Sequence, residues 1–317
     1  MKYYYSPHQN KGQAYYNALD AAGFTITPYT HDAEFGLVDH DYIKLDRDKN
    51  EFAQKPQLVE LGKLGRPTFA YPHAARPQII LDCYRDLWWH FDTLFCVSEG
   101  HAEILQALRY DASPLVPVGW SLSPIREFAP VKRYRGMRVL FAPIHPNGNG
   151  WMSDIDKAAN QRVHDWLAEW FATGEIELRI RTVKMPMVAG LTPVDDKIDY
   201  YVTRADGSCD DIDWADLVIS HQTFAYMAVA MGKPTIMYHD IACHSNNMEP
   251  LFWARYHHEY ANLIRFPIEF EDYYEYGREY MIYAALEGSQ AVDDWKRRMI
   301  GEPFDADLVV EIVRRFL

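Results

Sequence analysis

The stretch "WADLVISHQTFAYMAVAMGKPTIMYHD", Trp214 to Asp240, decides how the chain is read. "DLVIS" and "PTIMYHD" are continuous apolar runs of strand length, and "TFAYMAVAMG" between them is helical, with small residues that let a helix lie close on a sheet. An unbroken apolar run, as opposed to strict alternation, marks a strand covered on both faces, so the stretch reads as strand, loop, helix and strand of a parallel sheet. In such a unit the loop after the first strand lies at the ligand edge, and the following helix turns its N-terminal amides toward it. Ser220, His221, Gln222 and Thr223 therefore occupy an anion pocket, unless Thr223 merely caps the helix and His221 merely fills space.

The same alternation extends outward. "KYYYSP" is a strand, "KGQAYYNALDAAGF" a helix closed by Gly23, "FTITPY" and "EFGLVDHDY" strands, "PQLVELGKLG" a helix and "RPTFAYPHAARP" a strand running into a loop. "QIILDCYRDLWWHF" is expected to be helical, "TLFCVS" a buried strand, "EGHAEILQALRY" a helix and "PLVPVGW" a strand. The proline-rich, basic stretch Ser121 to Gly136 lacks periodicity and is read as the domain boundary. Beyond it come strand "RVLFAP", loop "IHPNGNGW", a long helix, strands "EIELRIRTV" and "KIDYYVT", and the opening stretch. The expected organisation is α/β, with a first lobe at residues 1–125 and a second at 136–317, whose terminal helices are free to pack back on the first.

Composition limits the function. A chain of 317 residues accommodates two domains of about 150 residues each. The net charge of −13 disfavours nucleic acid and anionic membrane as general partners. No apolar run approaches the roughly 20 residues that span a bilayer, and the N-terminus lacks the apolar centre of a secretory signal. Cys83, Cys96, Cys209 and Cys243 are dispersed without a C-x-x-C pair, so a soluble protein of the reducing cytoplasm is expected.

Four features, "YPHAARP", "VPVGW", "RVLFAPIHP" and "ADLVISHQTFAYMAVAMGKPTIMYHD", follow one another in an order that resembles the GT-B glycosyltransferases. The resemblance is nearest the branch with the CDP-glycerol glycerophosphotransferases and the UDP-N-acetylglucosamine 2-epimerases. It implies two Rossmann-like lobes facing a cleft, a UDP- or CDP-linked donor on the second lobe and a hydroxyl-bearing acceptor on the first; no cofactor is required, and magnesium is allowed but not expected. Two positions depart from it. Met227 stands where such enzymes often carry an acidic residue that grips the ribose, and Arg181, Thr182 and Lys184 stand where the glycerophosphotransferases tend to have a His-Pro pair.

Transfer to a hydroxyl needs a base, and positive charge or a helix N-terminus to steady the leaving diphosphate. His73 in "YPHAARP" is the first choice as base; by resemblance it falls near the His-Gly element of the glycerophosphotransferases. His8, after the first strand, and Asp39 in "LVDHDY" are the other catalytic candidates. For the donor, the glycine-bearing loop with His145, Asn147 and Gly148 lets amides approach a phosphate, and Arg181 and Lys184 supply charge. Asp240 and His244 are expected to contact the donor sugar. No metal site is assigned: Asp211-x-Asp213 fits N-capping better than cation binding, and "YHDIACH" matches no zinc spacing. The alternatives to a transferase are a nucleotide-sugar epimerase, a catalytically silent binding protein of the same fold, and a nucleobase glycosyltransferase acting on DNA, the last only if Arg126, Arg133 and Arg135 form a local basic patch.

Overall fold

A computed structural model describes residues 1–6, 12–39, 43–46, 51–54, 56–72, 91–107, 114–132, 134–144, 154–182, 190–202, 208–238, 265–270 and 276–317. The chain divides into two compact units, one comprising Met1–Leu122 with Arg297–Leu317 and the other Ser123–Lys296.

The first unit is built from β1 (Lys2–Ser6), α1 (Gln13–Ala21), β2 (Thr25–Thr27), β3 (Phe35–Asp39), β4 (Ile43–Asp46), β5 (Glu51–Gln54), α2 (Pro56–Lys63), β6 (Thr68–Tyr71), β7 (Thr93–Cys96), α3 (Glu99–Ala107) and β8 (Leu115–Pro117). Six strands form a parallel sheet in the order β2-β1-β3-β6-β7-β8. β6 and β7 are buried along their whole length, which explains their unbroken apolar runs. One face is filled by rings: Tyr3 stacks on Phe35 at 5.1 Å between centroids, and Phe35 meets Phe69 edge-on at 5.8 Å. On the opposite face Leu61 of α2 lies directly over Gly36, where an added Cβ would stand 2.5 Å from Leu61 Cδ1. β4 and β5 form a separate antiparallel hairpin that the sequence reading did not contain.

In the second unit the elements are β9 (Met137–Ala142), α4 (Asp154–Ala172), β10 (Ile176–Thr182), β11 (Asp199–Val202), α5 (Ser208–Trp214), β12 (Leu217–Ser220), α6 (Gln222–Ala230), β13 (Thr235–Met237) and α7 (Arg278–Glu287). The five strands are parallel in the order β11-β10-β9-β12-β13. α8 (Gln290–Met299) runs through the division between the units, and α9 (Ala306–Arg315) belongs to the first. There Val309 and Val313 of α9 join the core that also holds Tyr15 and Leu19 of α1.

The proline-rich stretch read as a boundary is, from Ser123 onward, bonded into the second unit. The Arg126 amide donates to Ala230 O at 2.8 Å, Ala129 to Gly232 O at 3.0 Å and Val131 to Leu286 O at 3.0 Å. Gly232 allows this approach twice over: its φ is +74°, and a Cβ would lie 2.0 Å from Glu127 O. Relative to the expected limits of 1–125 and 136–317, the second unit thus begins earlier and the last 21 residues, Arg297–Leu317, lie in the first.

Candidate functional site

The strand order locates the ligand edge of each sheet. In the second unit the chain leaves β9 toward β10 and β11 on one side, then returns to place β12 and β13 on the other. Such a reversal opens a crevice beyond the C-terminal ends of the two strands concerned, here β9 and β12. In the first sheet the equivalent reversal lies between β1 and β3.

At the β9–β12 seam Ser220 pairs with Ala142 in register, and its fully buried hydroxyl donates to Ala142 O at 2.9 Å. His221 follows in extended conformation (φ −130°, ψ 163°) as the N-cap of α6, and no side chain among the described residues caps that helix. An Asp, Ser or Thr at that position would normally occupy the amides of the first turn; His221 instead lays its ring edge-on against Tyr238, 5.8 Å between centroids. α6 has no acidic residue in its first turn. Gln222 and Thr223 form that turn, with Thr223 partly exposed. The β12 exit therefore presents the positive end of a helix dipole to the crevice.

Beside this seam, buried polar groups bond to one another. The Ile144 amide, two residues past β9, donates to Asn160 Oδ1 at 2.9 Å and to Tyr238 Oη at 2.8 Å. Asn160 Nδ2 returns a bond to Ile144 O at 2.8 Å, and Tyr238 Oη donates to Asn160 Oδ1 at 2.8 Å. Asn160 and Tyr238 are completely buried. Sequence reasoning missed both residues. The available signals were an asparagine on the buried face of α4 and a tyrosine closing an apolar strand.

Arg181 lies near the C-terminal end of β10, one strand from the seam. Its Nε donates to Asp211 Oδ2 at 2.7 Å and its Nη2 to Ser208 Oγ at 3.0 Å, both on α5, while Cζ sits 4.7 Å from the ring centroid of Phe224 in the first turn of α6. Asp211 and Asp213, the Asp-x-Asp pair, are thus each held by an arginine: Asp211 by Arg181 in a mostly buried pair, Asp213 by Arg126 in a half-exposed bidentate one. Burial and the neighbouring Asp211 push the Tyr201 phenol up. Lys233 of the Gly-Lys-Pro turn caps α5, its ammonium donating to Asp213 O at 3.0 Å and Ala215 O at 2.9 Å, and burial lowers its pKa. Met227 packs against the apolar cluster of Leu140, Ile212, Val218 and Ala228.

Asp39 ends β3 opposite Tyr71 of β6, so its backbone stands at the β1–β3 reversal; its side chain, like that of Gln222, lies outside the described residues. His8, His73, His145, Asn147, Gly148, Lys184, Asp240 and His244 also lie outside them, as does Arg133. Among the described residues no group of three or more His, Cys, Asp or Glu side chains is arranged to hold a metal ion, and no helix is long and apolar enough to cross a membrane.

No family model and no curated relative matches this sequence. Solved structures do. The glycosyltransferase SnogD from Streptomyces nogalater superposes with a TM-score of 0.51 at 10% identity, over 100% of this chain and 99% of its own. MurG from Acinetobacter baumannii gives 0.48 at 10% identity, covering 99% of this chain and 98% of that one. SsfS6, a glycosyltransferase of Streptomyces sp. SF2575, gives 0.46 at 9% identity over 98% of both. Two parallel α/β sheets and the likeness to SnogD define the fold class: two Rossmann-like units of GT-B type.

Proposed function

We propose that the chain is a glycosyltransferase, or an alditol-phosphate transferase, moving a group from a nucleoside-diphosphate donor to an acceptor hydroxyl. One observation carries the reading: α6 begins at the reversal of the second sheet with no capping hydrogen bond from its N-cap residue His221 and no acidic residue in its first turn. Its first turn, with Ser220, His221, Gln222 and Thr223 at the strand exit, would hold the diphosphate, and the loop with His145, Asn147 and Gly148 would close on it. Lys184 and Arg181 would add positive field, that of Arg181 partly neutralised by Asp211. Asp240 and His244 would meet the donor sugar, and His73, His8 or Asp39, in that order, would take the acceptor proton. A UDP- or CDP-linked donor follows from the resemblance of the four ordered motifs, and the arginine pairing of Asp211 and Asp213 supports a transfer in which those carboxylates serve no metal.

A second reading, donor binding without transfer, is favoured by Met227, which occupies with an apolar side chain the position where an acidic residue would grip the ribose. Thermal-shift titration with UDP, CDP, GDP, ADP and TDP, with and without magnesium, tests both, because a ligand that binds only the folded state raises the melting temperature. A rise with one diphosphate is the expected result, and turnover of the matching nucleotide sugar then separates transferase from silent binder. No rise with any of the five sinks the nucleotide-sugar reading.

A further inference from the structure

We propose that Tyr238 and Asn160 are positioning residues of the donor site, holding the β9 exit and the His221 ring in a fixed relation before any ligand arrives. The inference rests on the donor-site reading given above. Tyr238, the residue after β13, touches the exits of both β12 and β9. Its amide donates to Ser220 O at 3.2 Å, at the end of β12; its ring lies against His221; and its hydroxyl reaches the Ile144 amide beyond β9. Asn160, reaching in from α4, closes the ring of bonds by taking the Tyr238 hydroxyl and the Ile144 amide on Oδ1 and giving Nδ2 to the Ile144 carbonyl.

Ile144 needs such partners because it has left the ladder: its amide and carbonyl, buried with a residue only 6% exposed, would otherwise lose water without replacement. Buried groups that hydrogen-bond to one another favour one arrangement, since losing a member leaves the others short of partners in a low dielectric. An apolar plug could fill the same space but could not dictate where β9 ends relative to the α6 start. The lock sits at the β9–β12 reversal, beside the start of α6, whose amides a diphosphate would meet. Pre-organisation of this kind acts on affinity by removing an ordering cost from the binding step.

Tyr238→Phe keeps the ring and removes the hydroxyl. Calorimetric titration with the diphosphate that stabilises the native protein, well below the melting temperature, is expected to show affinity about tenfold weaker. Amide exchange over 142–144 in the ligand-free protein is expected to quicken. Tyr200→Phe is the control: it removes a 2.7 Å bond to His164 at the edge strand β11, and its affinity should match the native value. Unchanged affinity or unchanged exchange in Tyr238→Phe overturns the proposal, as does an equal loss in Tyr200→Phe, which would make the effect one of general stability. If the native protein binds none of the five diphosphates, the donor reading falls and this inference falls with it; native binding with an unaffected Tyr238→Phe overturns the inference alone.

Discussion

Two helices of this chain begin in opposite ways. α9 is complete in itself: Asp305 caps it by accepting from the Leu308 amide at 2.8 Å, Asp307 stands in its first turn, and Arg314 and Arg315 stand in its last. Its own sequence neutralises both ends of the dipole, and Val309, Val310, Ile312 and Val313 supply one buried stripe. α6 has no such devices at either end, and Ala225, Tyr226, Ala228, Val229 and Ala230 bury it on most sides. Packing holds α6, and nothing in its own sequence completes its N-terminus. A helix whose start is finished by its own side chains has no amide to spare; one held by packing depends on its surroundings for partners at its start, and the donor reading rests on that difference.

The largest expected effect comes from the support under the open start. Arg181→Met removes the guanidinium between Asp211 and Phe224 and leaves a carboxylate with little solvent, which costs about 3 kcal/mol. Chemical denaturation measures it, and a loss well under 1 kcal/mol would mean that water already screens the pair. Next is the finished start: Asp305→Ala should cost about 1 kcal/mol in the same assay and leave diphosphate titration unaltered. Thr223→Asp sharpens the contrast because its two readouts move in opposite senses. A carboxylate in the first turn of α6 should stabilise the free protein by about 0.5 kcal/mol while abolishing the diphosphate-induced rise in melting temperature. A variant that still responds to diphosphate would show that α6 is not the anion site.

The smallest effect lies away from both helix starts. Burial lowers the pKa of His164, whose Nε2 is 2.7 Å from the Tyr200 hydroxyl, and Asp165 only partly offsets this. The fold thus favours neutral imidazole, whereas the unfolded chain takes up its proton near pH 6.5. Stability from this group is fully present above that pH and declines as pH falls below it toward the lowered folded value. Comparing His164→Gln with the native chain between pH 7.5 and pH 5 should show a shallower loss of stability in the variant. Parallel curves would place the acid sensitivity elsewhere.

Much of the fold was legible. The quoted stretch is β12, the α6 start and β13 in the order read, because strands covered on both faces must be apolar throughout and a helix wedged against them must be small-sided. The β4–β5 hairpin was not, since "IKLD" and "EFAQ" carry neither a long apolar run nor a two-residue Asn-Gly turn. The site was legible only as an edge. Ser220 and His221 fall at the strand-to-helix junction that the sequence indicates, yet the side-chain partners of Ser220, Arg181 and Asp211 are 27 to 78 residues away. Such pairings leave no periodicity in the sequence.

By itself, then, the sequence determined the elements and the parallel α/β class, because burial on one or both faces imposes a period or a run that short windows record. Only the tertiary structure decided that β9 and β12 lie side by side, that Arg181 answers Asp211, and that Asn160 and Tyr238 close around Ile144. The reason is physical: a buried polar atom must find a partner wherever the chain brings one, and that choice is made in space, across 16 residues for Asn160 and 94 for Tyr238.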